Sequence, residues 1–362
     1  MSKKYHIIVF GCQMNTSDAE RISAVLEKLG YRLTSNETSA DLIVVVMCSE
    51  RQSAVDRVHW LVKKFSAKDG SDSGGKKPIT ILTGCVLKKD KNIFEKGFDY
   101  VLDIKNIGGL AEIARQQIQS VPRKVILSSD YLKITPKYIS KTTAYIPIMT
   151  GCNNFCSYCV VPYTRDREIS RPVKDILKEV KILAKKKYKD IWLLGQNVNS
   201  YKDGKINFPK LLKAVDSIPG NFKLNFTSSH PKDFSDELIK IMAECKKFSR
   251  KLNLPIQSGD NEILKKMNRP YTVAQYKKLV KKIRKAIPNI LLSTDVIVGF
   301  PGETKKQFNN TAKTLKEIGY NMAFINKYSP REGTAAAKMK DNIPWEEKKR
   351  REKILISLIN KK

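Results

Sequence analysis

The sequence lacks the features of a membrane or secreted protein. No run among its 362 residues approaches the roughly 20 consecutive apolar residues of a membrane helix. The N-terminus, Met1-Ser2-Lys3-Lys4-Tyr5, enters a strand-like segment without the apolar core of a signal peptide. Hydrophobic residues make up 41% of the chain, which is enough to form cores in two or three domains. These observations exclude a largely disordered chain and favour a cytosolic protein without a membrane partner.

Acidic residues are scarce, because only 36 Asp and Glu accompany 68 Lys and Arg, for a net charge of +32. Only 15 of the basic residues are Arg, so a compositional bias toward lysine accounts for part of the excess. A field of this sign attracts polyanions and accelerates their encounter at low salt. The charge therefore favours a nucleic acid over a membrane surface as partner.

Residues 1–125 alternate strand-like and helix-like segments and predict one domain. The predicted strands are Tyr5–Phe10, Leu42–Met47, Ile79–Thr83 and Tyr100–Asp103. The predicted helices are Ser17–Leu29, with Ser17 or Asp18 as its cap, Arg51–Phe65 and Gly109–Ile118. Such alternation predicts an α/β fold with a flavodoxin-like parallel sheet, covered by helices on both faces. Ligands are expected at the carboxyl ends of its strands.

Three cysteines follow three of these strands, namely Cys12, Cys48 and Cys85. Although 36 and 37 residues separate them, the carboxyl ends of neighbouring parallel strands meet at one edge of a sheet. We therefore expect the three thiols to converge. The alternative is three unrelated buried thiols, but those normally lie within strands and helices.

After a polar linker at 126–143, residues 144–344 contain six strand–helix units. The predicted strands are Tyr145–Met149, Ile191–Leu194, Lys223–Thr227, Lys251–Ile256, Leu291–Val298 and Met322–Tyr328. The predicted helices are Val173–Lys186, Pro209–Ser217, Asp236–Cys245, Val273–Ala286 and Lys305–Ile318. Six such units predict a partial (β/α)6 barrel of the TIM type, with its chemistry at the carboxyl-terminal face. Residues 345–362 are predicted to form a charged amphipathic helix.

A C-x-x-x-C-x-x-C motif, Cys152, Cys156 and Cys159, follows the first barrel strand. Three thiolates in one loop can bind three irons of a cubane cluster and leave the fourth iron open. A zinc site needs a fourth ligand, and no histidine lies nearby in the sequence. Clustered cysteines in a reducing compartment are more often metal ligands than disulfides. The motif favours an iron–sulfur cluster over zinc or structural thiols.

With this spacing the chain resembles the radical S-adenosylmethionine (SAM) superfamily. The resemblance implies that the open iron binds the amino and carboxyl groups of SAM and passes it one electron. Cleavage then yields methionine and a 5′-deoxyadenosyl radical, which abstracts hydrogen from an unactivated carbon. Tyr158 matches the aromatic residue that packs near the adenine in this superfamily.

Further motifs narrow the resemblance to the methylthiotransferases. The matching runs begin at Gly11, Cys48, Gly84, Val160, Leu194, Leu254, Met267, Asp295 and Tyr328, and they cover nearly the whole chain. The resemblance implies that Cys12, Cys48 and Cys85 hold a second [4Fe-4S] cluster, which carries the sulfur to be inserted. Two clusters use six of the seven cysteines, and Cys245 is left as an ordinary helix thiol. Family members continue past the last helix into a small β-barrel, the TRAM domain, which this chain is expected to lack.

Within the family, the resemblance implies a tRNA methylthiotransferase. Such an enzyme uses two SAM molecules to place a methylthio group at C2 of N6-isopentenyladenosine, at position 37 beside the anticodon. It requires a reducing electron donor and a sulfur donor, and we expect a monomer. Rival substrates are N6-threonylcarbamoyladenosine in tRNA or an aspartate of a ribosomal protein. A rival of another class is a non-catalytic iron–sulfur protein that binds RNA.

Polar residues at or beyond the predicted strand ends are candidates for contacts with SAM or the substrate. They are Gln196, Asn197, Ser229, Gln257, Asp295 and Arg331. The alternative is that each caps a helix or fixes a loop. His230 also follows a strand, but a lone histidine is more often structural.

Overall fold

The computed structural model describes residues 2–66, 77–117 and 131–360 of the chain. It divides into two compact units. The first contains the described part of 1–141 together with Tyr163–Asp166, and the second contains 142–162 and 167–360. The boundary lies inside the expected linker, of which residues 126–130 are outside the described residues, as is most of the loop Ala67–Lys77. The tetrapeptide Tyr163–Asp166 was expected in the second domain and instead packs within the first unit.

The first unit is built on one parallel sheet of five strands. These are β1 (Lys4–Phe10), β2 (Arg32–Leu33), β3 (Leu42–Cys48), β4 (Ile79–Cys85) and β5 (Tyr100–Val101). Their spatial order is β2-β1-β3-β4-β5, and every neighbouring pair is parallel. This is the flavodoxin-like order, whose crossover direction reverses between β1 and β3. The fold-class prediction is confirmed, although the sequence pattern missed β2, which has only two residues.

Helices cover both faces of this sheet. They are α1 (Gln13–Lys28), α2 (Gln52–Ser66), α3 (Lys88–Phe94) and α4 (Ile107–Gln116). Ile22 of α1 and Leu110 of α4 pack on one face, in a core that includes Val44. Val58 of α2 and Phe94 of α3 pack on the opposite face. All seven residues of β3 are buried, because this central strand has helices above and below it.

The second unit contains all six of the expected barrel strands. They are β6 (Thr143–Pro147), β9 (Asp190–Leu194), β12 (Lys223–Phe226), β13 (Lys251–Asn253), β14 (Leu291–Val298) and β15 (Met322–Lys327). They form two parallel sheets, β12-β9-β6 and β13-β14-β15. A parallel bridge from Leu224 to Phe248 joins β12 to the segment entering β13. The strands therefore follow one another in chain order, as a partial barrel requires.

Helices follow the barrel strands. They are α5 (Val161–Thr164), α6 (Val173–Lys185), α7 (Phe208–Asp216), α8 (Asp236–Glu244), α9 (Asn261–Lys266), α10 (Val273–Ala286), α11 (Lys305–Ile318) and α12 (Trp345–Asn360). The short strands β7 (Met149–Thr150) and β8 (Ile169–Ser170) form an antiparallel pair, and so do β10 (Lys202–Asp203) and β11 (Ile206–Asn207). In the part of the chain that is described, no helix is long and apolar enough to cross a membrane.

The last helix is more than a solvated amphipathic segment, because two of its cations are buried. Lys348 is 3% exposed and pairs with Asp341 at 2.6 Å, while Arg351 pairs with Glu303 at 2.6 Å. Buried charges require such partners. The Arg351–Glu303 pair thereby fixes helix α12 to the loop that follows β14.

Two candidate cysteine centres

The segment Gly11-Cys12-Gln13-Met14-Asn15 sets the position of the first cysteine. Cys12 is the N-cap of α1, and its backbone N–H donates to Oδ1 of Asn15 at 3.1 Å. The Asn15 amide in turn donates to the carbonyl of Met47, in β3, at 3.1 Å. A Cβ at Gly11 would lie 2.1 Å from Oδ1 of Asn15, so any larger residue would displace the Asn15 side chain from its hydrogen bonds. The predicted cap at Ser17 or Asp18 is wrong, because the helix begins at Gln13.

Cys48 and Cys85 are the last residues of β3 and β4 and face each other in the parallel register. They end their strands, whereas the sequence pattern placed both cysteines after them. Gly84, just before Cys85, has φ of +105°, and a Cβ there would lie 2.3 Å from the carbonyl oxygen of Met47. Glycine thus permits β4 to approach β3 closely beside the two thiols. Cys12 ends the connection from β1 on the other side of β3, at the point where the crossover direction reverses.

The three thiols of this group, which we call the strand triad, interact directly. Hydrogen bonding with the Cys48 thiol lowers the pKa of Cys12 to about 6. The same interaction lowers the pKa of Cys85, while hydrogen bonding to its two neighbours raises that of Cys48. These shifts in pKa favour the thiolate forms of Cys12 and Cys85 over that of Cys48. The expected convergence of these three side chains is present in the structure.

A buried polar network lies beside the strand triad. Arg165 is 2% exposed and its Nε donates to Sγ of Cys85 at 3.0 Å. Its Nη2 pairs with Asp18 at 2.5 Å, and the Tyr131 hydroxyl also donates to Asp18. In the sequence, Arg165 belongs to the family run that begins at Val160, and Asp18 was predicted as a helix cap. The signal that this prediction missed was an acidic residue inside the buried face of an amphipathic helix.

The second group, which we call the loop triad, comprises Cys152, Cys156 and Cys159. The loop starts at Gly151, whose φ is +79°, directly after β7. The N–H of Asn154 donates to Sγ of Cys152 at 3.4 Å, and that of Cys159 to the carbonyl of Cys156 at 3.0 Å. Burial raises the pKa of Cys152. Two hydrogen bonds within the loop thus fix its conformation, and one of them is accepted by the Cys152 sulfur.

Residues 266–269 brace this loop from a distant part of the sequence. The N–H and hydroxyl of Ser157 donate to the carbonyls of Met267 and Lys266, at 3.0 and 2.8 Å. The Asn268 amide donates to the carbonyl of Phe155 at 2.8 Å. The Met-Asn-Arg motif recognised in the sequence therefore acts as a clamp on the cysteine loop.

Arg269, the last residue of that motif, contacts the loop triad itself. It is 6% exposed, and its Nη1 lies 3.5 Å from Sγ of Cys156. Its Nε donates to the hydroxyl of Tyr271 at 2.8 Å, and its Nη2 to the carbonyl of Pro255 at 3.1 Å. Sequence reasoning did not assign Arg269 a role. No carboxylate lies within salt-bridge distance of Arg269 among residues 2–66, 77–117 and 131–360.

Several predicted site residues lie at the ends of β9 and β12 with unsatisfied polar atoms. Within the described ranges, Oε1 of Gln196, Oδ1 of Asn197 and Oγ of Ser229 are buried without a hydrogen-bond partner. The other end of the Asn197 amide donates to Asp233 at 2.7 Å. Buried polar atoms are normally satisfied, so these three fit a polar ligand at the carboxyl-terminal face.

His230, beside Ser229, was predicted either to be structural or to belong to the site at the strand ends, and its two ring nitrogens differ in this respect. Its Nδ1 accepts from the N–H of Lys232 at 3.2 Å and caps the short 3-10 helix Pro231–Asp233. Its Nε2 is buried without a partner in the described part of the molecule. Burial, followed by the charges of Arg269 and Lys232, lowers the pKa of His230 to about 2. The ring is therefore neutral, and a proton on Nε2 leaves Nδ1 free to accept.

The remaining candidates are more firmly engaged with the protein. Asp295 lies in the middle of β14, and not at its end as expected, and accepts from the Asn253 amide at 2.7 Å. Gln257 has φ of +68° and forms a parallel bridge with Val296. Arg331, beyond β15, donates to Ser329 at 3.3 Å. Tyr158 packs against an apolar cluster that includes Met267 and Phe300, so its expected contact with adenine stays a prediction.

Cys245 lies apart from both triads. It caps the end of α8 instead of lying inside the helix, and burial together with a hydrogen bond to Asp216 raises its pKa to about 12. Among residues 2–66, 77–117 and 131–360, no three His, Cys, Asp or Glu side chains have the geometry of a site for a single metal ion. Two sets of three thiols nonetheless have the donor chemistry of cubane clusters with one open iron.

Known protein families match segments of both units of the chain. Residues 146–315 match the radical SAM superfamily, and residues 4–103 match an uncharacterised protein family, UPF0004. The chain is similar to a radical SAM methyltransferase, TsrM, from Kitasatospora setae, solved with cobalamin and a [4Fe-4S] cluster bound. In that comparison the TM-score is 0.65 at 14% identity, over 93% of this chain and 77% of the other. At this identity the likeness shows the fold.

Sequence relatives are much closer. The chain is 41% identical to the tRNA-2-methylthio-N(6)-dimethylallyladenosine synthase of Clostridium novyi, over 99% of this chain and 81% of the relative. It is 39% identical to the synthase of the same name from Carboxydothermus hydrogenoformans, over 99% and 83% of the two chains. Identity of this extent across both units places the chain in the radical SAM family of tRNA-2-methylthio-N(6)-dimethylallyladenosine synthases.

Proposed function

We propose that this chain is a tRNA methylthiotransferase that inserts a methylthio group at C2 of N6-isopentenyladenosine, beside the anticodon. The observation that carries the proposal is the pair of cysteine triads, each at the carboxyl-terminal edge of its own parallel sheet. One triad suffices for a simple radical SAM reaction. A second triad fits a reaction that must also supply sulfur.

Cys152, Cys156 and Cys159 would hold the [4Fe-4S] cluster that binds SAM, and Cys12, Cys48 and Cys85 would hold the second [4Fe-4S] cluster. When bound, these groups supply the radical that removes hydrogen from adenine C2, the methyl group and the sulfur. The chain's own residues provide thiolates, hydrogen bonds to sulfur and exclusion of water. The lowered pKa of Cys12 and Cys85 favours the deprotonated form that iron requires.

The unsatisfied atoms of Gln196, Asn197 and Ser229 would orient SAM or the adenosine at the barrel's open face. Oε1 and Oδ1 are acceptors, and the Ser229 hydroxyl can donate or accept, so together they suit an amino group or a ribose. Arg331, Gln257, Asp295 and Tyr158 are weaker candidates, because the structure gives their side chains or backbones protein partners.

The tRNA would be attracted by the net charge of +32, since each phosphate neutralised by lysine or arginine releases counterions. With tRNA as substrate, the chain acts in the cytoplasm and draws on an electron donor and a sulfur donor of that compartment. We propose that it works as a monomer, because each triad takes all three thiols from one chain.

The test is mass spectrometry of tRNA nucleosides from a bacterial strain without its own methylthiotransferase, with the chain expressed or absent. We expect 2-methylthio-N6-isopentenyladenosine to appear with the wild-type chain and not with Cys152→Ala or Cys12→Ala. Cys245→Ala is the matched control and should retain the product, because Cys245 lies outside both triads.

Other products would redirect the assignment. A methylthio group on N6-threonylcarbamoyladenosine would identify the rival tRNA substrate. No modified nucleoside and no 5′-deoxyadenosine from a soluble, iron-loaded and reduced protein would contradict the enzymatic proposal and favour a binding protein.

A further inference from the structure

A buried ion pair, Arg165 with Asp18, lies beside the strand triad, although buried ion pairs contribute little net stability. Arg165 and Asp18 are 2% and 0% exposed, so both charges have lost their hydration. Desolvation of such a pair cancels much of its attraction, and apolar residues of similar size often stabilise a fold as well or better. The pair therefore suggests a function beyond packing.

The contacts of Arg165 use the shape of its guanidinium group. Nε donates to Sγ of Cys85 at 3.0 Å, while Nη2 reaches Asp18 at 2.5 Å on the other side. A lysine carries a single nitrogen and cannot hold a sulfur and a carboxylate in this fixed fork. The Tyr131 hydroxyl occupies the other carboxylate oxygen, and the ring of Tyr131 in turn lies 5.3 Å from the buried guanidinium of Arg21. Asp18 is thus held on two sides, and it holds Arg165.

We propose that Arg165 is a positioning residue for the sulfur-supplying cluster, which directs a hydrogen bond to the Cys85 sulfur and thereby raises that cluster's reduction potential, with Asp18 limiting the rise. The inference rests on the proposed function of the strand triad. Hydrogen bonds to ligand sulfurs and nearby charge set the potentials of iron–sulfur clusters. Reduction adds negative charge, which a donor or a cation stabilises and a carboxylate opposes.

The opposite signs expected for the two partners give a decisive experiment. The full chain carrying Cys152→Ala, Cys156→Ala and Cys159→Ala is reconstituted anaerobically with iron and sulfide, so that only the strand triad contributes a signal. Its iron content and its midpoint potential, followed by electron paramagnetic resonance, are then measured for added variants. We expect Arg165→Met to shift the potential to more negative values and Asp18→Asn to more positive values, with iron content retained. Lys105→Met is the matched control.

Lys105 forms ion pairs with Asp103 and Asp166, the residue after Arg165, but its side chain is 39% exposed. Water and salt screen such a charge, so we expect the Lys105→Met potential to equal that of the parent. Potentials that are the same in all variants, or that shift in one direction for both Arg165→Met and Asp18→Asn, would overturn the inference.

Two further outcomes are also decisive. If Arg165→Met loses its iron, Arg165→Lys is measured in its place. This variant keeps the positive charge but loses the pair of hydrogen bonds to sulfur and carboxylate. A potential equal to that of the parent would overturn the inference. If the parent without the loop cysteines binds no iron, the proposed function of the strand triad fails too. Equal potentials in iron-loaded variants would reject only the role of Arg165.

Discussion

The two triads are assembled from the chain in opposite ways. The loop triad takes three cysteines from the eight residues 152–159, whereas the strand triad takes them from three elements that lie 36 and 37 residues apart. Loop geometry depends on local hydrogen bonds and on the clamp at residues 266–269. The geometry of the strand triad depends on the register of β3 against β4, which places Cys48 opposite Cys85. The strand triad should therefore be sensitive to changes in the sheet, and the loop triad to changes in the residues that brace its loop.

Each triad also has one buried arginine against one sulfur, but the two arginines differ in charge balance. Arg165 contacts Cys85 and is paired with Asp18, while Arg269 contacts Cys156 and has the Tyr271 ring and a carbonyl as its other partners. The strand triad thus gains a hydrogen bond with little added positive charge. The loop triad is exposed to the full charge of its arginine, which suits the role proposed for it, that of accepting an electron for SAM cleavage.

Among the variants that test the difference between the two triads, Gly84→Ala is expected to have the largest effect. The change forces a side chain into φ of +105° and into the Met47 carbonyl, so it should separate Cys85 from Cys48. Backbone strain alone costs about 1–3 kcal/mol, and the contact adds to it. We expect loss of the strand-triad iron with retention of the loop-triad iron, measured as iron per chain and as 5′-deoxyadenosine formation.

Gly108→Ala is the control for that variant. Gly108 lies in α4, and a Cβ there meets nothing within 4 Å. Alanine in a helix should leave iron content unchanged and add about 0.5–1 kcal/mol to the free energy of unfolding. Full iron content in Gly84→Ala would contradict the dependence of the strand triad on the β3–β4 approach.

Arg269→Met tests the loop triad in the same way. Removing partners that orient metal ligands typically costs about 10–100-fold in metal affinity or activity. We therefore expect SAM cleavage to fall by roughly that factor while the strand-triad iron is retained. Arg284→Met is the control, because Arg284 donates to the backbone carbonyls of Ile318 and Gly319, as Arg269 does to that of Pro255, but contacts neither triad. Equal rates in the two variants would show that Arg269 serves packing only.

The sequence predicted the elements better than the contacts. Strand and helix periodicity identified all six barrel strands, and the bounds of α10 and α11 agree to the residue. Asp18 was misassigned because Ser and Asp near a helix start resemble a cap, while its partner Arg165 lies 147 residues away. A long-range ion pair leaves no periodic signal. The strand β2 was missed for a related reason, since two residues cannot show alternation.

The site was predictable where chemistry is local. Cys152, Cys156 and Cys159 could be predicted as one site because their short spacing places them in one loop. The three strand cysteines could be predicted as a second site because the ends of parallel strands converge. The roles of Asn15 and Gly84 could not be predicted, because each depends on the Met47 carbonyl of another strand. The expectation that Asp295 lies at a strand end is wrong, because β14, whose bounds agree with the predicted strand, continues for three residues beyond it.

Asn15→Ala should have a smaller effect on the strand triad. It removes the cap on Cys12 and the bond to the Met47 carbonyl, which together cost about 1–2 kcal/mol of unfolding free energy. We expect a lower urea midpoint and a partial loss of strand-triad iron. Asn36→Ala is the control, because Asn36 caps an exposed 3-10 turn and should leave the iron content unchanged. Equal iron loss in the two variants would mean that losing any helix cap lowers the iron content, and that Asn15 has no particular role at the strand triad.

The smallest effect concerns pH and the charge around the loop triad. Because the folded pKa of His230 is about 2, the unfolded chain takes up its proton first as pH falls below about 6.5, and the folded state is destabilised. Between pH 7 and 5.5 this should lower the unfolding free energy by about 1 kcal/mol. His230→Gln keeps an acceptor for the Lys232 N–H and should remove this contribution to the pH dependence of the unfolding free energy, measured by urea unfolding.

In Arg269→Met the pH dependence should persist but flatten at a higher pH than in the wild type. Burial still lowers the pKa of His230 in this variant, although one positive charge has been removed. An unchanged slope in His230→Gln would show that the histidine already accepts a proton in the folded chain near its ordinary pKa.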